Sequence, residues 1–130
     1  MNKLSDRIRD ALIDAAVILE EDVKSRIRWA REVEATVLGS EASLAVLDAI
    51  LENLEIAEKT RVPMCQDTGL FLVFVDVGTE SSLSLAETEE AIVQGCQQAV
   101  EVASYRRSVV TDPLFERKNT TNNLPPLIYW

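Results

Sequence analysis

Apolar positions recur every three or four residues over the first half of the chain. Leu4, Ile8, Leu12, Ala15 and Leu19 keep this spacing, with Asp6, Arg7, Arg9, Asp10 and Asp14 between them. The pattern predicts an amphipathic helix with one buried stripe. A second helix is expected from about Asp22 to Leu38, with Val23, Ile27, Ala30 and Val33 inward and Asp22 as its N-cap. Gly39 then punctuates, Ser40 can cap, and a third helix follows. Its Leu44, Leu47, Leu51 and Leu54 form a narrow seam, widened by Ile50 and Ala57. Two heptads are too few for a free coiled coil, so the seam reads as core or as a contact with a partner subunit.

Val62 and Pro63 end that helix, because the residue before proline is pushed out of the α region. The period then changes. Leu70 to Val77 is β-branched and aromatic without helical spacing, which predicts a strand buried on both faces and ended by Gly78. Ser84 and Glu87 make a capping box for a helix from about Leu85 to Ser104. Its inner face is Ile92, Cys96, Ala99, Val100 and Ala103, and Cys96 on that stripe reads as a small core residue. Arg106-Arg107-Ser108-Val109-Val110 is a short strand candidate, Asp112-Pro113 turns the chain, and Arg117 to Asn123 is polar and loop-like. Leu127 to Trp130 starts another strand, expected to lack its sheet neighbours. Ending on four consecutive apolar residues points to a piece of a longer chain. The fold class expected is α+β: N-terminal helices followed by a mixed sheet, in a single domain over 1–130.

Composition narrows the function classes. In 130 residues, 47% are hydrophobic and 27% charged, as in ordinary soluble globular proteins. The net charge of −9 argues against nucleic acid and anionic membranes as partners, since both are bound through clustered Lys and Arg. No apolar run approaches the roughly 18 residues of a membrane span, and the N-terminus is too polar for a secretory signal. Two cysteines make no disulfide framework, and the plain reading is a reducing cytoplasm. There is no histidine. That removes Ser/His and Cys/His machinery and His-ligated zinc from anything the chain does alone.

Chemistry concentrates at Pro63-Met64-Cys65-Gln66-Asp67-Thr68-Gly69, between the third helix and the apolar run. A thiolate is a soft metal ligand or a nucleophile, and an adjacent amide and carboxylate can orient a polar substrate. A buried, inert cysteine in a turn is an equally ordinary reading of the same residues. Arg106 and Arg117 can each present a planar fork to a dicarboxylate, or simply offset the acidic surface.

The Pro63–Gly69 segment resembles the signature of the iron–sulfur class I fumarases and the related L-tartrate dehydratases, in the N-terminal part of their α subunit. Tyr105-Arg106-Arg107-Ser108-Val109-Val110 is similar to the family's Leu-Arg-x-Ser-Val-Val, and Asp112-Pro113-Leu114 and Arg117-Lys118-Asn119-Thr120 match as well. The family continues Gly-Asp-Asn-Thr-Pro, where this chain has Thr121-Asn122-Asn123-Leu124-Pro125. Asn123 and Pro125 fit. A glycine with positive φ would leave Thr121 strained in its place, and the lost carboxylate at Asn122 removes any charged contact made there.

The resemblance implies a fragment of a larger hydro-lyase domain, inactive by itself. Cys65 would be one of three thiolate ligands of a [4Fe–4S] cluster whose fourth iron is open, the other two cysteines lying outside this chain. Gln66, Asp67 and Arg106 match substrate-binding positions, and no catalytic base is implied within these residues. The expected partners are the remainder of the α subunit, a β subunit and a small dicarboxylate, in an oligomer. The implied reaction is the reversible hydration of fumarate to L-malate, a tricarboxylic acid cycle step. The alternatives are L-tartrate dehydration, or a non-catalytic helical module that docks through the Leu44–Leu54 seam and keeps Cys65 as a structural thiol.

Overall fold

A computed structural model describes residues 3–67 and 69–130. Four α-helices run in order, α1 (Leu4–Val17), α2 (Glu21–Val33), α3 (Glu41–Thr60) and α4 (Leu85–Val102). Two short strands, β1 (Leu72–Phe74) and β2 (Leu127–Tyr129), complete the α+β fold. The chain divides into two compact units, Asp14–Met64 and a second made of Met1–Ile13 with Cys65–Trp130.

In the unit Asp14–Met64, α2 and α3 form an antiparallel-type helical hairpin joined by a π-helical turn, Glu34–Leu38. The expected helix to Leu38 therefore stops being α-helical at Val33. Asp22 is not its N-cap. Glu20 holds that position without a side-chain bond, and Asp22 Oδ1 accepts from the neighbouring Val23 N–H at 2.7 Å. Ser40 caps α3 as expected, accepting from Ser43 N–H at 3.3 Å. The leucine seam is core: Leu54 and Ala57 are buried and Leu44, Leu47 and Leu51 half-buried. Ile50 instead is 40% exposed. Lys24 reaches Glu58 at 3.0 Å and Arg31 grips Asp48 with two guanidinium nitrogens, both across the hairpin. α3 ends at Thr60 with Arg61 in the left-handed region at φ 60°, two residues before Pro63. Met64 closes the unit, its N–H bonded to Ala16 O (3.1 Å) and its carbonyl to Asn53 Nδ2 (2.8 Å).

The other unit is built on α4. Its capping box is complete, with Ser84 Oγ accepting from Glu87 N–H at 3.2 Å and Glu87 accepting in return from Ser84 N–H at 2.9 Å. The Ser84 N–H, and the Ser84 hydroxyl donating to the same oxygen at 2.8 Å, hold the Glu87 carboxyl below its usual range. The helix stops at Val102 rather than Ser104. Ile92, Cys96, Ala99 and Val100 are buried as the stripe predicts, together with Gly95. Gly95 is where α1 comes closest: a Cβ there would lie 2.7 Å from Ile8 Cγ2 and 2.9 Å from the Ser5 carbonyl. Phe71 packs edge-on against Tyr105, ring centroids 5.6 Å apart, and the Tyr105 hydroxyl donates to Leu12 O at 2.7 Å.

The sheet departs from expectation. Among the described residues it is not mixed; it is two parallel strands, with Leu72 opposite Leu127 and Phe74 opposite Tyr129. Leu127 to Trp130 thus does find a neighbour, β1, with Leu127 N–H bonded to Phe71 O and Val75 N–H to Tyr129 O, each 2.8 Å. β1 is three residues rather than eight and is not buried on both faces. Phe74 is 75% exposed and stacks on Tyr129 at 5.1 Å, because no second layer covers that face among the described residues. The strand candidate Arg106–Val110 contributes only one antiparallel bridge, Val110 with Asn119.

Candidate active site

The loop that carries the chemistry leaves Met64 and turns back on itself before β1. Cys65 is exposed, and its thiol donates to Asp67 O at 3.3 Å. Asp67 in turn accepts from Gly69 N–H through Oδ1 at 3.4 Å, which holds the carboxylate against its own turn. Gly69 takes φ 70°, a conformation that an L side chain resists, so the glycine that ends the motif is needed by the backbone itself. Gln66 is exposed on the same turn. Thr68 of the motif lies outside the described residues.

Asp67, Gly69 and Leu70 form one wall of a cavity of about 310 Å³. The facing wall is Ser108, Val109, Val110 and Pro113. Two stretches some forty positions apart in sequence, each singled out by its residue types, therefore meet at one cavity. Arg106 is exposed two residues before the Ser108 wall, while Arg117 is exposed in the turn beyond it. Arg117 sits at φ 50°, its N–H donating to Asp112 O at 2.8 Å.

The Arg106–Pro125 stretch is held by side-chain bonds together with a few backbone bonds around the Val110–Asn119 bridge. Asp112 Oδ1 accepts from the N–H groups of Leu114 and Phe115 at 2.8 and 3.1 Å, which keeps its carboxyl below the usual range. Asn119 Nδ2 donates to Arg107 O at 2.8 Å, and Thr120 N–H to Val109 O at 2.9 Å. Asn123 is 1% exposed and spans the stretch from inside. Its Nδ2 donates to Arg106 O at 2.9 Å and its Oδ1 accepts from Val109 N–H at 3.1 Å. Sequence reasoning placed Asn119 and Asn123 in a polar loop without giving them this work. The available signal was the run of Asn and Thr itself, since such side chains replace backbone partners in turns.

Of the three departures from the family pattern, at Thr121, Asn122 and Leu124, the first two behave differently. Thr121 takes φ 67°, the conformation that favours glycine, so the expected strain is present. Asn122 Oδ1 accepts from Leu124 N–H at 3.2 Å, a contact that an aspartate oxygen would make equally well.

Metal binding divides the two cysteines. Cys65 offers an exposed sulfur on a loop, the accessibility a cluster ligand requires. Cys96 is fully buried, and burial pushes its thiol up to about 11, which suits a core residue and not a thiolate ligand. Among the described residues no three His, Cys, Asp or Glu side chains converge as a metal site. The chain fits one ligand of a cluster and would need the others from elsewhere.

The sequence from residue 5 to 130 matches the fumarate hydratase (Fumerase) family, and the chain belongs to that family. A Methanocaldococcus jannaschii protein provisionally named L(+)-tartrate dehydratase subunit alpha is 39% identical over 121 residues, 92% of this chain. The L(+)-tartrate dehydratase subunit alpha of Escherichia coli K12 is 25% identical over all 130 residues, and that of Shigella sonnei is likewise 25% identical over 130 residues. The chain spans 41% of the length of each of these relatives.

Proposed function

We propose that these residues are the N-terminal part of the α subunit of an iron–sulfur hydro-lyase that reversibly hydrates fumarate to L-malate. The observation that carries this reading is the cavity lined by Asp67, Gly69 and Leu70 on one side and Ser108, Val109 and Val110 on the other, each side two residues along the chain from Cys65 or Arg106, in a member of the fumarate hydratase family. Hydration adds a hydroxyl to one alkene carbon and a proton to the next, so the site must hold both carboxylates and keep the alkene face accessible to water. Cys65 would ligate a [4Fe–4S] cluster, which when bound supplies a Lewis-acidic iron to the substrate's oxygens.

The chain's own residues do the orienting. Arg106 offers a planar two-donor fork that matches a carboxylate. Gln66 can donate from its amide to a second carboxylate oxygen, and Asp67 can accept from a substrate hydroxyl or a water. Val109 and Val110 close one side with apolar surface, which limits water and strengthens each polar contact. The base that exchanges the carbon-bound proton comes from outside these residues, as does the rest of the cluster's ligand set. A longer α chain, a β subunit and a cytoplasmic setting complete the proposal.

A second reading is L(+)-tartrate dehydration, favoured by the similarity to L(+)-tartrate dehydratase α subunits. Both substrates are four-carbon dicarboxylates and call on the same guanidinium contact. The deciding experiment uses the full-length protein with its partner subunit, reconstituted with iron and sulfide without oxygen. Fumarate hydration and tartrate dehydration are followed side by side. Faster turnover of fumarate, by kcat/KM, is expected. Faster turnover of tartrate would move the assignment to the dehydratase, and turnover of neither would leave the non-catalytic docking module.

A further inference from the structure

Arg106 can orient a carboxylate only if its backbone is fixed, and no sheet or helix fixes it. Arg106 and Arg107 are exposed, and among the described residues the segment's one strand-like contact is the bridge from Val110 to Asn119. Asn119 holds the Arg107 carbonyl and Thr120 the Val109 carbonyl, but the group that joins Arg106 itself to the cavity wall is one buried side chain. Asn123, 1% exposed, donates its amide N–H to Arg106 O and accepts Val109 N–H on its amide oxygen. The two bonds straddle Arg107 and Ser108, so a single planar amide sets the distance between the residue that carries the guanidinium and the residues that wall the cavity. Asn123 is itself locked. Its N–H donates to Thr120 Oγ1 at 3.0 Å, and it takes φ 58°, which asparagine tolerates better than most residues.

We infer that Asn123 is the positioning residue that holds Arg106 in register with the cavity wall, and so sets the affinity of the site for a dicarboxylate. This rests on the functional reading above. Asn123 is not itself part of the cavity lining; it reaches the lining residue Val109 only through that residue's backbone N–H, and so acts through the backbone it clamps. Asparagine suits the task because one side chain must both donate and accept within one plane. Aspartate would keep the acceptor for Val109 and turn an oxygen towards the Arg106 carbonyl. Leucine, of similar size, would remove both bonds, leaving the Val109 N–H without its amide partner and the Arg106 carbonyl with only the Ser108 N–H at 3.1 Å.

The test uses the full-length, cluster-loaded protein with its partner subunit. Equilibrium binding of succinate, a dicarboxylate that cannot be hydrated, is measured by calorimetry beside thermal unfolding. Asn123→Gly removes the amide yet accepts the positive φ, and Asn123→Asp removes only the donor and guards against a folding failure of the first variant. Tyr105→Phe is the control, losing one hydrogen bond in the same unit away from the cavity. Asn123→Gly and Asn123→Asp are expected to weaken succinate binding about tenfold or more, since small misplacements of an orienting group carry large penalties. Tyr105→Phe should lower the unfolding temperature without changing binding. If both Asn123 variants bind succinate within about twofold of wild type while Arg106→Lys binds it weakly, the positioning role is overturned and the site stands. If Arg106→Lys also binds normally, or the wild type binds no succinate, the functional reading fails and the inference falls with it.

Discussion

Tyr105 and Cys96 share the interior of the α4 unit, and neither can easily ionise there. Burial is the main cause for both, raising the Cys96 thiol from 9.0 to about 11 and the Tyr105 phenol from 10.0 to about 12, where Cys96 adds a smaller push. Both folded values lie above the unfolded ones, so between them the unfolded chain has released protons that the folded chain keeps. Stability from these groups is therefore complete below about pH 9 and is lost as pH rises through the folded values. The urea midpoint should fall as pH rises from about 9 to about 11, and fall less in Cys96→Ala and Tyr105→Phe. Thr121 makes the opposite case, a residue with strain to release. At φ 67° a β-branched side chain is disfavoured, so Thr121→Gly is expected to raise stability by about 0.5–1 kcal/mol, read as a higher midpoint. Cys96 as core was legible from its place on the helical stripe. The strain at Thr121 was legible only through its departure from the family's glycine, because a φ angle depends on neighbours that periodicity does not report. Asn123 was not legible as a clamp, since its partners are backbone groups fourteen and seventeen residues away.

Among the elements, helices were easier to read than strands for a local reason. A helix satisfies its own backbone, so spacing, caps and breakers fix it, as Ser40 and Ser84 do here. The Asp22 cap failed because Glu20 and Glu21 begin the helix two residues sooner, and a run of acidic residues blurs which one starts it. Strands depend on partners. The apolar run from Leu70 to Val77 keeps only the three residues that β2 can pair, and the parallel direction was invisible in either segment alone. Gly95 shows what a helical pattern hides. It reads as a mild helix breaker, yet it allows α1 to rest on α4 with Ile8 and the Ser5 carbonyl inside van der Waals distance of a Cβ. Gly95→Ala should destabilise the unit by about 1–3 kcal/mol despite the better helix propensity of alanine, as a denaturation series would register. An unchanged or higher midpoint would mean that the two helices separate without penalty.

For the whole molecule, the proposed function makes the chain one part of a site whose remaining groups come from outside these residues. The two stretches chosen from sequence do converge on one cavity, which makes the resemblance to class I fumarases a spatial statement as well as a textual one. Family membership covers residues 5–130, while the chain spans 41% of the relatives' length. The exposed sulfur of Cys65 is the feature on which the account depends, since it is the one thiol here suited to a cluster. The most direct test is iron and sulfide content, with the cluster's absorbance, in the anaerobically reconstituted full-length protein and in Cys65→Ser. The account predicts about four irons per α chain in the wild type, consistent with a cubane cluster, and loss of the cluster in Cys65→Ser with the unfolding midpoint of the metal-free protein unchanged. Equal iron content and equal absorbance in the two proteins would contradict it and leave Cys65 a surface thiol without a metal.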